Sequence, residues 1–197
     1  MKRNLWVISG IIIVIILGVV GYFCFSGDNN SNDSLASENQ TDYVGEQITS
    51  IHKNFRAIIK ADWQELEGAS VGYSSFVYLP PNEDKEDINA EFIFVSTSYL
   101  GVDNNYTLEW LLDAGIENSK QTMPDIELTE NIDKEGEYLI GKEIKFTGTS
   151  EGVKRDFVQF FGIKYGNIYT ITYSCPVDTC DYYAVYNVFV NSFKPIE

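Results

Sequence analysis

The sequence predicts an α+β domain, an antiparallel β-sheet of about six strands sandwiched by helices, preceded by one transmembrane helix. Three observations carry this. Leu5 to Phe25 (LWVISGIIIVIILGVVGYFCF) is an uncharged apolar run. Beyond residue 55 the chain is dense in short β-branched and aromatic runs, the last three separated by tight turns. Two stretches instead repeat their apolar residues at helical spacing.

Taken in order, residues 1–4 are a cytoplasmic tail carrying Lys2 and Arg3, and 5–25 are the anchor. As a helix that segment covers roughly 30 Å, the thickness of a bilayer's hydrocarbon core. The flanking bases leave the N-terminus cytoplasmic and the rest outside a cell membrane, in a single pass. A cleavable signal would have a shorter apolar core with a small-x-small site close behind it, and Ser34-Leu35-Ala36 lies too far downstream. Residues 26–45 (SGDNNSNDSLASENQTDYVG) lack apolar periodicity and form a flexible polar tether. Residues 46–197 are one extracytoplasmic domain.

Within it, FRAIIKADW (Phe55 to Trp63) reads as a strand, and SSFVYLPP (Ser74 to Pro81) as another stopped by prolines. INAEFIFVSTSYL (88–100) is apolar on most of both faces, a central strand. Leu108, Leu111, Leu112, Gly115, Ile116 and Ser119 share one stripe of a helix capped by Thr107 and stopped by Pro124. Strands over 137–148, 155–164 and 167–175 follow, joined by turns at Ser150-Glu151-Gly152 and Gly166-Asn167, so they form a meander. Tyr182, Val185, Tyr186, Phe189 and Phe193 mark a closing helix, with Asp178 or Thr179 as cap and Cys180 in its first turn.

The chain holds 29 acids and 14 bases, a formal net charge of −15. All acids and all but two bases lie beyond residue 27, so the outer part has 12 bases against 29 acids, or −17. That balance excludes nucleic acid as a partner. It suits solubility, with cation binding or a basic partner as the sharper readings.

Catalytic residue types are sparse. The one histidine, His52, sits where tether meets domain and reads as a boundary residue without a nucleophile or orienting acid. A zinc site could draw only on His52, Cys175, Cys180 and a carboxylate, so no metal or cofactor is expected. The acidic clusters Glu83, Asp84, Glu86, Asp87 and Asp125, Glu127, Glu130, Asp133, Glu135 lack calcium-loop spacing and read as solvated loops. Tyr165, Tyr169, Tyr173, Tyr182, Tyr183 and Tyr186 suit sugar or peptide recognition if exposed, but sheet–helix packing uses the same residues.

The run RDFVQFFGIKYGNIYTITYSCPVDTCDYYAVYNVFVNSFK, with Gly166, Tyr169, Ile171, Thr172, Tyr173, Ser174 and the closing Ser192, Phe193 and Lys194, resembles the C-terminal half of the PsbP-like superfamily. That superfamily includes small bacterial extracytoplasmic lipoproteins of the DcrB type. Trp63 matches the tryptophan such chains place early in the domain. The resemblance covers the layout of 46–197 and is specific over 155–194. It implies an α/β/α sandwich and a non-catalytic binding or accessory role. Phe23-Cys24 departs from a lipobox, so a membrane helix stands in for lipid.

Two cysteines with four residues between them, in SCPVDTCDYY, could be a metal clip, a redox pair or a disulfide. A thiol pair across a strand-to-helix turn reaches bonding distance, the outside permits oxidation, and a redox pair favours Cys-x-x-Cys spacing. A Cys175 to Cys180 disulfide is expected. The function expected is a non-catalytic, membrane-tethered domain of unknown ligand that binds an envelope or membrane protein partner. The alternatives are a carboxylate-dependent hydrolase of envelope polysaccharide or peptide and a weak cation-dependent sensor.

Overall fold

A computed structural model describes residues 46–197, apart from 53, 71, 72, 85, 86 and 102–105. The expected anchor, the whole of the tether and Cys24 lie outside these residues; among the described helices none is long and apolar enough to cross a membrane. The order is β1 (Gln47–Ile51), β2 (Phe55–Lys60), β3 (Gln64–Ser70), β4 (Tyr73–Leu79), β5 (Phe92–Tyr99), α1 (Leu108–Thr122), β6 (Glu127–Glu135), β7 (Ile140–Ser150), β8 (Val153–Lys164), β9 (Asn167–Pro176), α2 (Tyr183–Ser192) and β10 (Lys194–Pro195).

Seven strands form one antiparallel sheet in the order β3-β4-β5-β9-β8-β7-β6, and β1-β2-β10 form a second. The expectation of about six strands thus falls short, by β1, β3, β6 and the two-residue β10. β6 lies in the acidic segment read as loop. Its side chains are almost all exposed, because an edge strand needs only a partner's backbone, and β7 supplies it.

The central strands β5, β8 and β9 are buried on both faces, which accounts for their nearly continuous apolar runs. Strand pairing sorts their side chains. Ile93, Val95, Val158, Phe160, Tyr169, Ile171 and Tyr173 point to one face, where they join Phe55, Ile59, Tyr186, Phe189 and Phe193 of β2, α2 and the chain end in one core. Phe146, Phe157, Phe161 and Ile168 point to the other, under Leu111 and Leu112 of α1. The sheet is therefore covered by one helix on each face. Each fully buried Phe or Tyr contributes roughly 2 kcal/mol.

The two helices begin differently. Thr107 accepts the Trp110 amide at 3.2 Å, an ordinary N-cap. α2 starts at Tyr183, later than expected, and neither Asp178 nor Thr179 caps it. Asp178 occupies a left-handed turn position (φ 71°), and the Thr179 hydroxyl donates to the Pro176 carbonyl at 2.9 Å. Cys180 accordingly precedes the helix. The β8–β9 turn is Tyr165-Gly166, both at positive φ (51° and 71°), one residue earlier than expected.

Glu46 accepts the Ala61 amide beside the β2–β3 turn, so the chain enters the domain at the end of the sheet that also carries the β4–β5 loop, the β7–β8 turn and Cys175. The β8–β9 turn lies at the opposite end.

Candidate functional site

At the entry end, Cys175 and Cys180 are joined as a disulfide with Cα atoms 5.3 Å apart. Around it the amides of the two residues that precede α2 meet side chains from elsewhere in the chain, and no side chain caps the helix itself. The Asp181 amide donates to Glu91 Oε1 at 3.2 Å, and the Tyr182 amide donates to Tyr173 Oη at 3.1 Å. Tyr173 in turn donates its hydroxyl to Glu91 Oε2. Glu91 is thus held through both oxygens. Burial still pushes its carboxyl above the usual range, with these hydrogen bonds pulling the other way. Its neighbour Glu83 is raised too, by burial and then by the charges of Asp87 and Glu91. On the far face Arg155 is buried and clamps the same loop: Nε donates to Ser174 Oγ at 2.8 Å, Nη1 to Ile88 O at 2.8 Å and Nη2 to Ala90 O at 2.5 Å.

Glu83 and Glu91 are neighbouring acids, the residue type a hydrolase needs in a pair. Both Glu91 oxygens, however, are spent on donors that hold α2, so the carboxylate serves the fold.

A second constellation was not legible in the sequence. Ser50 Oγ donates to Glu65 Oε2 at 2.7 Å and lies 2.8 Å from His52 Nε2 and 2.9 Å from Tyr78 Oη, which is 2.7 Å from the same His52 nitrogen. His52 is corrected from a boundary residue: its side chain is only 9% exposed and its ring lies 3.7 Å from that of Phe76. Serine, histidine and acid invite comparison with a catalytic triad. The geometry differs, because the acid approaches the same nitrogen as the serine and takes the serine's proton itself. A relay needs the acid on the other ring nitrogen. With Tyr78 fully buried, this is a hydrogen-bonded network tying β1 to β3 and β4. The sequence signal was the i, i+2 spacing of Ser50 and His52, which puts both on one side of an extended chain. The other two members depend on a strand pairing no local pattern announces.

A third cluster lies under α2. Glu143, 2% exposed, receives Lys134 Nζ and the Tyr186 hydroxyl, the latter at 3.1 Å, while Lys134 also donates to Asn187 Oδ1 at 3.1 Å. Burial drives the Tyr186 phenol well above its usual pKa, so it remains a donor. Of the other tyrosines, Tyr169 and Tyr173 are core residues, and Tyr165 is exposed. Among the described residues no group of three or more His, Cys, Asp or Glu is placed to hold a metal ion. A cavity of about 10 Å³ beneath α1, lined by Leu112, Ile116, Ile144 and Phe161, has room for no more than one water.

No protein-family model matches this chain, and no curated protein matches it in sequence. Solved structures do match in shape. The cyanobacterial PsbP of Synechocystis superposes with a TM-score of 0.56 at 17% identity, over 82% of this chain and 99% of its own. LpqN of Mycobacterium tuberculosis, described as involved in cell envelope biogenesis, gives 0.53 at 13%, over 77% and 91%. The Ran-binding protein Mog1p of Saccharomyces cerevisiae gives 0.53 at 10%, over 76% and 95%. At such identities the likeness is one of fold. Residues 46–197 carry a PsbP-like fold, a mostly antiparallel sheet with a helix on each face.

Proposed function

We propose that this chain is a membrane-tethered extracytoplasmic binding or accessory domain of the DcrB type, non-catalytic, that supports an envelope assembly through a protein partner. One observation carries the reading: the residues of catalytic type are consumed inside the fold. Ser50, His52 and Glu65 close on one another, Glu91 holds α2, and Glu143 holds Lys134. The PsbP-like fold supports it, since PsbP, LpqN and Mog1p share the architecture and Mog1p is described as a binding protein. The apolar segment 5–25 and the polar stretch 26–45 supply an anchor and reach for such a role.

Cross-linking the full chain in intact membranes, beside a control carrying residues 1–45 fused to an unrelated domain, tests it. The expected result is an envelope protein enriched with the full chain alone. Equal recovery by both would sink the assembly role. A Glu91→Gln variant that abolished a hydrolytic activity while retaining the fold would favour the hydrolase instead.

A further inference from the structure

The acidic domain keeps one basic line. Lys194 and Arg56 are directly opposed across β10 and β2, and Ile51 opposes Arg56 from β1. Residues directly opposite in a sheet share a face, so these three form a row across the small sheet, with Ile51 70% exposed. The row continues by contact: Lys194 Nζ lies 4.6 Å from the centre of the Tyr138 ring. Lys164 Nζ donates to the Tyr138 carbonyl at 2.7 Å and lies 5.5 Å from the ring centre of Tyr165, itself exposed.

Three features set this line apart. Three other lysines of the domain are paired with acids: Lys120 with Glu117, Lys142 with Asp133 and Glu109, Lys145 with Glu130. Arg56, Lys164 and Lys194 form no salt bridge among the described residues. Next, placing Arg56 opposite Lys194 costs stability, since like charges facing across a sheet repel. Finally, Tyr165 holds a left-handed conformation (φ 51°) that favours glycine or asparagine, and does so with its ring exposed. Unpaired bases interleaved with Tyr and Ile have the composition of a protein interface, where Tyr and Arg supply the anchoring contacts.

We propose that the stripe Ile51, Arg56, Lys194, Tyr138, Lys164 and Tyr165 is a docking surface for an extended acidic segment of a partner protein. It rests on the binding reading above and gives it a place and a chemistry. A long polyanion is the poorer fit, because the −17 of the chain beyond residue 27 repels it everywhere off the stripe. A short acidic segment confined within about one Debye length, roughly 8 Å, of the three bases avoids that repulsion. An anionic membrane face is disfavoured by position. Arg56 lies at the far end of β2 from the turn beside which the chain enters from residues 1–45.

The test uses the full chain in nanodiscs of neutral phosphatidylcholine and a fluorescent Asp/Glu-rich peptide of about ten residues, long enough to span roughly 33 Å. Saturable binding that weakens with salt is expected, and K164E/K194E should weaken it by about tenfold. K164Q/K194Q should fall between the two, and K120E/K154E should bind like the parent, with every variant still melting as a folded domain. Absence of saturable binding, or equal affinity of parent and K164E/K194E, would overturn the proposal. So would binding of phosphatidylglycerol vesicles, but not peptide, lost in the same variant. Peptide binding that survives alongside a failed membrane cross-link would leave the stripe standing and remove the tethered assembly role.

Discussion

Under α2, Glu143 meets Lys134, Tyr186 and, through Lys134, Asn187, with both charges almost out of water. On the stripe, Arg56, Lys164 and Lys194 keep water, aromatic rings and one backbone carbonyl as company. A charge buried without a partner costs several kcal/mol, so the interior closes every charge it holds. An exposed charge costs almost nothing to leave open, so unpaired bases on an acidic domain are a choice that folding does not force. The difference separates residues that hold the domain together from residues free to meet something else.

The most severe way to break the closed side is Glu143→Ala, which strands Lys134. A loss of about 3 kcal/mol is expected, read as a melting temperature lower by roughly 6 to 12 °C. Replacing both partners with Met should recover most of it. If the double variant melts as low as the single one, the pair is not the reason. Cys175→Ser with Cys180→Ser comes next, at about 2 kcal/mol for so short a loop. Melting with and without reductant checks it, because reductant should lower the parent and leave the double variant alone.

Glu83 sharpens the comparison through pH. Its carboxyl is raised by burial and by Asp87 and Glu91. A raised carboxyl gives stability that is complete below its unfolded pKa and is lost as pH rises through the folded value. Glu83→Gln should therefore stabilise at pH 8 by about 0.5 kcal/mol after solvent screening, or roughly 2 °C, and the gain should vanish near pH 4. A gain independent of pH would point to packing instead. The smallest effect belongs to the open side: Arg56→Gln and Lys194→Gln should each shift stability by less than about 0.5 kcal/mol. A larger loss from either would make the stripe part of the scaffold.

Legibility in the sequence followed the range of the forces. Both helices and the strands β5, β7, β8 and β9 declare themselves through apolar period, Thr107 and short turns, all signals confined to a few neighbours. β6 was hidden because ELTENIDKE is polar on both faces. β1 was hidden in the same way, with only Ser50 turned inward. Edge strands are held by a partner's backbone, to which side-chain pattern is blind. The start of α2 was misplaced for a related reason. The two residues before it are held by Glu91 and Tyr173, distant in sequence, and no side chain caps it locally.

By itself the sequence determined the antiparallel α+β architecture, the disulfide-bearing turn between the last long strand and the last helix, and the acidic balance of the domain. Hydrophobic period, turn chemistry and charge are properties of composition and neighbours. Tertiary structure alone decided that Ser50, His52, Glu65 and Tyr78 converge, that Glu143 is buried with Lys134, and that Arg56, Lys194 and Lys164 line up around Tyr138. Each of these depends on strand register, where a slip of one residue sends every side chain to the opposite face. Register is set by the packing of the whole sheet against both helices, and no single stretch of chain contains it.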